Sequence, residues 1–194
     1  MGAKFRNKYR SESIRLQQWD YRWAGVYFIT ICTKNREHYF GEIANGKMEL
    51  SPIGVIADIL WFEIKNRAKN VELGAFVVMP NHMHGVLILH GGDGVHGGVD
   101  SVDSGHALSL QGQPSLVGKP SIGKNRFQNI GKNSVSSIVG SYKSAVTKHA
   151  RRLGYDFAWQ TLFYDHIIRN DKAFNNIQTY IIENPLRWKE DRFH

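Results

Sequence analysis

An α+β fold built on one antiparallel sheet is predicted by three features of the 194-residue sequence. Short β-branched and aromatic runs at VYFITICT (26–33), VELGAFVVMP (71–80) and MHGVLIL (83–89) read as buried strands. Stretches with apolar residues at helical spacing lie between and after them. The order strand, helix, strand, strand, helix, strand is then the βαββαβ arrangement of a ferredoxin-like sheet, with helices on one face and one additional helix at the end.

Each element has a local cause. The first strand is a continuous β-branched and aromatic run, and Asn45-Gly46 marks a hairpin or tight turn after it. Ser51 caps the first helix and Pro52 occupies its first turn; Ile53, Ile56, Ile59, Leu60 and Ile64 supply its apolar stripe. Pro80-Asn81 ends the second strand, and the third follows at once, so the two are expected to pair as an antiparallel hairpin. Residues 90–133 hold ten of the nineteen Gly without a hydrophobic period and read as a flexible insertion. GDGVHG at 92–97 fits GxGxxG, but no helical period follows it, and GxxxxGK followed by Ser or Thr is absent, so no nucleotide-binding loop is supported. Helical periodicity resumes with Val135, Ile138, Val139, Tyr142, Val146 and His149, capped near Asn133 or Ser134. A short strand covers 164–168. Asn170 or Asp171 then caps a last helix striped by Phe174, Ile177 and Ile181, which Pro185 stops.

Composition narrows the class of protein. At 42% hydrophobic and 22% charged residues the chain can bury a core, which excludes wholesale disorder. Its longest apolar runs fall far below the ~20 residues of a membrane span, so no membrane partner is expected. No apolar signal-peptide core follows the first residues, and the single Cys32 cannot form an internal disulfide; a cytoplasmic protein is predicted. The net charge of +8 suits a polyanion. Through residue 36, eight Lys and Arg face only Glu12 and Asp20, interleaved with Phe5, Tyr9, Trp19, Tyr21 and Trp23. Residues 1–22 therefore read as a basic arm whose Lys4, Arg6, Lys8 and Arg10 contact phosphates or are merely solvated, and 23–194 as a single domain carrying the insertion.

Two places carry chemistry. His82 and His84 lie two residues apart at the start of a strand, where alternation sends both to one face and Met83 to the other. Paired imidazoles suit a divalent metal, although with nine His in the chain an HxH is weak alone and structural histidines are as natural. Tyr180 and Asn184 stack one turn apart on the last helix. Tyr180 is either a core aromatic or a nucleophile, and Asn184 either a helix end or a ligand. Tyr142 is the rival tyrosine. Lys143, Lys148, Arg151 and Arg152 on its helix are phosphate contacts or a solvated face, and His166 beside Asp165 either assists a proton or pairs with the backbone.

The segment VVMPNHMHGVLIL, followed after a basic helix by WQTLFYDHIIRNDKAFNNIQTYIIENPLRW, resembles the single-tyrosine HUH transposases, most closely their REP-associated branch. The resemblance spans roughly residues 20–90 and 134–190. It implies that His82 and His84 bind the catalytic metal, that Asn184 is the third ligand and that Tyr180 is the nucleophile. It also implies a bacterial, nucleoid-associated enzyme that acts on single-stranded DNA bearing an imperfect hairpin, as a monomer or a homodimer. Attack by Tyr180 would leave a covalent 5′-phosphotyrosine and a free 3′-hydroxyl. Mg²⁺ or Mn²⁺ suits imidazole and amide donors with open positions for phosphate better than Zn²⁺ does. The glycine-rich insertion departs from the compact family pattern. The competing expectations are a non-catalytic single-strand-binding module and a metal-dependent nuclease that uses water.

Overall fold

A computed structural model describes residues 23–91 and 134–194, together with the backbone of 4–5 and 8–9. Arg6, Arg10 and most of the basic arm and of the insertion lie outside the described residues. Strands β1 (Lys4–Phe5) and β2 (Lys8–Tyr9) pair antiparallel by themselves. The main elements are β3 (Gly25–Cys32), the hairpin β4 (Gly41–Ala44) and β5 (Lys47–Leu50), α1 (Pro52–Phe62), α2 (Ile64–Arg67), β6 (Val71–Val78), β7 (His82–Leu89), α3 (Val135–Arg152), β8 (Tyr164–Ile168) and α4 (Asp171–Glu183).

Four strands form the sheet in the order β6-β7-β3-β8, every neighbour antiparallel. This is the ferredoxin-like order expected from the sequence. The expected turn at Asn45-Gly46 joins β4 to β5 with both residues at positive φ, 52° and 74°. The expected caps also form. Ser51 Oγ accepts from the Gly54 N–H at 3.1 Å, Ser134 Oγ from Ser137 at 3.2 Å, and Asn170 Oδ1 from Ala173 at 2.8 Å. The β6–β7 hairpin is tight because the Met79 N–H donates to the His82 carbonyl at 2.8 Å, which ends β6 two residues before Pro80.

The helices divide between the two faces. Helices α1, α2 and α3 cover one face through Ile53, Ala57, Trp61, Ile64, Val139, Tyr142 and Val146, which pack on Tyr27, Ile29, Met83 and Leu87. Helix α4 covers the other through Phe174, Ile177 and Ile181, against Val26, Val86, Ile88 and Ile168. Ile59 does not join the α1 stripe as the spacing predicts: it is 57% exposed. It stands two residues from fully buried Ala57, about 200° around the helix, so the face that inserts Trp61 into the core turns Ile59 outward. Among the described residues no helix is long and apolar enough to cross a membrane.

Candidate active site

The strand pleat brings the two histidines together. β7 is an interior strand with all eight residues buried, and its alternation puts His82 and His84 on the α4 face while Met83 enters the opposite core. Their Nε2 atoms lie 3.0 Å apart. Burial pushes the His82 imidazole down to about 4, with Asp191 opposing and Arg36 adding to the shift. Burial and the neighbouring His82 hold His84 well below its ordinary value. Both rings are therefore neutral near pH 7, the state in which an imidazole offers a lone pair.

Hydrogen bonds orient each ring. The Asn81 amide donates through Nδ2 to the Phe193 carbonyl at 2.8 Å, which turns its Oδ1 toward His82 Nδ1, also at 2.8 Å. An amide oxygen only accepts, so the His82 proton sits on Nδ1 and Nε2 carries the lone pair. His84 Nδ1 lies 2.8 Å from Thr30 Oγ1, a hydroxyl that can donate or accept. With the proton on Nε2, His84 shares it with His82 and Tyr180. With the proton on Nδ1, two Nε2 lone pairs face one another and call for a cation between them.

Helix α4 supplies the third side. Ile177 and Ile181 anchor it, which places Tyr180 at its edge with the hydroxyl 3.2 Å from His84 Nε2. The Tyr180 hydroxyl donates to Asp191 Oδ2 at 3.0 Å, and Asn184 Nδ2 donates to the same oxygen at 2.8 Å. The Phe193 N–H holds Asp191 Oδ1 at 2.7 Å. Burial alone would raise the Asp191 carboxyl, but these bonds and His82 outweigh it and hold it below the ordinary range. Burial, then the Asp191 charge, pushes the Tyr180 phenol up to about 12. The Asn184 Oδ1 is buried and has no hydrogen-bond partner.

Two neutral imidazoles, a carboxylate and an unsatisfied amide oxygen are a donor set that fits a divalent cation. His82, His84 and Asp191 present ligand atoms within 4.8 Å of one another. His82, His84, Tyr180 and Asn184 lie together at this place, His84 bonded to His82 and Tyr180, and Asn184 joined to Tyr180 through Asp191. Asp191 was not foreseen. It lies seven residues beyond Asn184, past the Pro185 stop, where no periodicity or motif points back to the sheet. Asn81 had a visible signal, since it immediately precedes the histidine pair.

Of the other candidates, only His166 shares the histidines' face of the sheet. Tyr142 is buried in the opposite layer with its hydroxyl donating to the Ala57 carbonyl at 2.8 Å, and burial raises its phenol well above the usual value. Lys143 donates to the Gln160 and Thr161 carbonyls at 2.6 and 3.3 Å, so it clamps a loop. Lys148, Arg151 and Arg152 are exposed on α3, across the sheet from the histidines. His166 shares the α4 face with Phe28 by register, while Asp165 pairs with Ile29 and faces the other core.

No protein-family model matches the chain. It is 36% identical over 183 residues to an uncharacterized protein of Haemophilus influenzae, covering 94% of this chain and 92% of that one. A solved REP-associated tyrosine transposase bound to a REP hairpin superposes with a TM-score of 0.52 at 20% identity, covering 93% of this chain and 73% of the other. A putative transposase from Deinococcus radiodurans reaches only 0.38 at 16% identity, covering 89% and 98%. With the fold shared with the first of these structures and identity sustained along nearly the whole Haemophilus influenzae protein, the chain belongs to that protein's family and carries the fold of a REP-associated tyrosine transposase.

Proposed function

We propose that the protein is a metal-dependent DNA strand transferase and endonuclease that cuts and rejoins single-stranded DNA through a covalent 5′-phosphotyrosine. The observation that carries this reading is the Tyr180 hydroxyl, 3.2 Å from the buried His84 Nε2, on the same face as His82 and against a carboxylate. A core tyrosine has no need of two neutral imidazoles and an orphaned amide oxygen around it.

In this reading His82, His84 and Asn184 would hold a divalent cation, Mg²⁺ or Mn²⁺, which when bound would neutralise charge on the scissile phosphate. Asp191 orients the Asn184 amide and accepts the phenol proton. The Tyr180 oxygen attacks phosphorus, the bond to the 3′-oxygen breaks, and that oxygen leaves as the hydroxyl of the upstream strand after taking a proton. The phosphotyrosine ester keeps the bond energy, so a second 3′-hydroxyl can reverse the step without a nucleotide cofactor. The solved transposase of like fold holds a REP hairpin. We extend that partner to this chain, as single-stranded DNA with an imperfect hairpin, with the basic arm at Lys4, Arg6, Lys8 and Arg10 gripping phosphates. In this reading the site is built within one chain.

Labelled single-stranded hairpin DNA, incubated with Mg²⁺ or Mn²⁺ and run on a denaturing gel, tests the proposal. Wild type should yield a covalent protein–DNA band that chelation abolishes and Tyr180→Phe eliminates, while Tyr142→Phe retains it. Cleavage without a covalent band would assign the reaction to water. An adduct that survives Tyr180→Phe would overturn the nucleophile.

A further inference from the structure

A group of cations and rings beside the histidines is left unused by this reaction. Phe193 packs against His82 at 4.8 Å between centroids and against His84 at 5.9 Å. The Arg192 guanidinium lies 4.8 Å from the Phe193 ring centre and that of Arg36 lies 5.3 Å from it. Arg192 also stands 5.8 Å from the centre of the Tyr164 ring. Both arginines are exposed, and among the described residues neither is in an ion pair. The nearby Asp191 carboxylate is already taken by Tyr180, Asn184 and the Phe193 N–H.

Their placement is built. Arg36 Nη1 donates to the Arg192 carbonyl at 3.1 Å, which brings two like charges to one ring. Asn35 and Arg36 hold φ of 53° and 57°, a left-handed conformation that disfavours residues with a Cβ and concentrates where function demands a particular side-chain direction. The Thr33 hydroxyl donates to the Glu37 carbonyl at 2.7 Å and closes this loop around them. Tyr164 pairs in register with Thr30, and Thr30 with His84, so the tyrosine projects from the same sheet face as the catalytic histidine. Helix α4 packs against the β6 and β7 side of that face. Tyr164, 39% exposed, and His166 stand open on β8.

We propose that Arg36, Arg192 and Tyr164 form a nucleotide subsite next to the reaction centre, in which the two guanidiniums bind the phosphate adjoining the scissile one and the Tyr164 ring stacks its base. This rests on the strand-cleavage reading and adds to it the residues that fix the strand's path. Paired guanidiniums offer the fork geometry a phosphate accepts. A half-exposed aromatic ring accepts any base by its face, so the subsite positions the strand without reading sequence.

Binding measured without metal separates this proposal from the chemistry. Anisotropy of a fluorescein-labelled 25-nucleotide single strand of mixed sequence is followed in EDTA across a KCl series. Arg36→Gln with Arg192→Gln should weaken affinity about tenfold or more and flatten the logarithmic salt slope by about one to one and a half, as expected for two lost phosphate contacts. Arg192→Gln alone should give about half the slope change and guards against misfolding of the Arg36 loop. Tyr164→Leu should weaken binding by about fivefold or more, and Tyr164→Phe should restore it. Lys65→Gln with Arg67→Gln removes two charges from α2 across the sheet and should stay within about twofold of wild type. Wild-type affinity and slope in the double arginine variant, equal losses in the α2 control, or no binding by the wild-type protein would each overturn the subsite. Failure of the Tyr180 adduct would leave these binding results standing, so the two readings fail separately.

Discussion

His82 and His84 stay neutral in the folded protein because burial makes their charged forms costly, and that fixes the response to acid. In the unfolded chain an imidazole titrates near 6.5, whereas folded His82 holds off protonation to about 4. As pH falls, the unfolded state therefore takes up protons first. The His82 contribution is intact above 6.5 and is lost as pH falls from 6.5 toward 4, at about 1.4 kcal/mol per pH unit, and His84, also held down by burial, adds a loss of the same sign. Below that range Asp191, whose carboxyl is held down, adds a loss of the same sign. The thermal midpoint should drop by roughly 5 °C or more between pH 7 and 5. A His82→Gln, His84→Gln double variant should lose most of that dependence. A flat melting profile in the wild type would contradict the neutral pair. At this scale the sequence showed the histidines, Tyr180 and Asn184, because strand alternation and helical spacing are short-range. It hid Asp191, Thr30 and Arg192, whose roles depend on contacts between segments far apart or on a chain reversal with no periodic signal.

Among the elements, β7 carries the most constraint, since it presents the histidines on one face and core residues on the other. Gly85, immediately after His84, is where Trp61 of α1 lies flat against the strand: a Cβ there would collide with the indole ring. Trp61 in turn stacks on Phe76 with centroids 4.8 Å apart. Gly85→Ala should therefore destabilise the protein by about 1–3 kcal/mol through overpacking, and Trp61→Ala by about 3–5 kcal/mol through loss of a fully buried ring. Denaturant midpoints read both values. If Gly85→Ala unfolds like wild type, the indole does not rest on the strand as described. The sequence made the elements legible through β-branched runs, caps at Ser51, Ser134 and Asn170, and the Asn45-Gly46 turn. It misplaced Ile59 because apolar type alone does not tell which side of α1 the large Trp61 ring will claim.

For the molecule as a whole, the sheet divides labour between its faces. α1 and α3 close a large core against one side, and α4 closes a smaller one against part of the other. The proposed reaction centre lies on the more thinly covered side, with Tyr180 on α4, Asn184 at its C-terminal cap and the two histidines on β7. Of the α4 residues, Ile181 alone is fully buried, whereas β7 is buried throughout and bonded to strands on both sides. Amide hydrogen exchange should show this as unequal protection. The β7 amides should exchange only through global unfolding, and those of α4 through a cheaper opening, faster by at least about tenfold. Equal protection would mean that the two layers unfold as one unit.

That inequality has a consequence for how the centre can be reset. In the proposed reaction, a cheaper opening of α4 would let Tyr180 and Asn184 move while His82 and His84 stay registered in the sheet, so the phenol and the histidine pair need not travel together. A strand joined to the phenol could then be lifted away and returned, and the two imidazoles would serve as the fixed docking point to which it comes back.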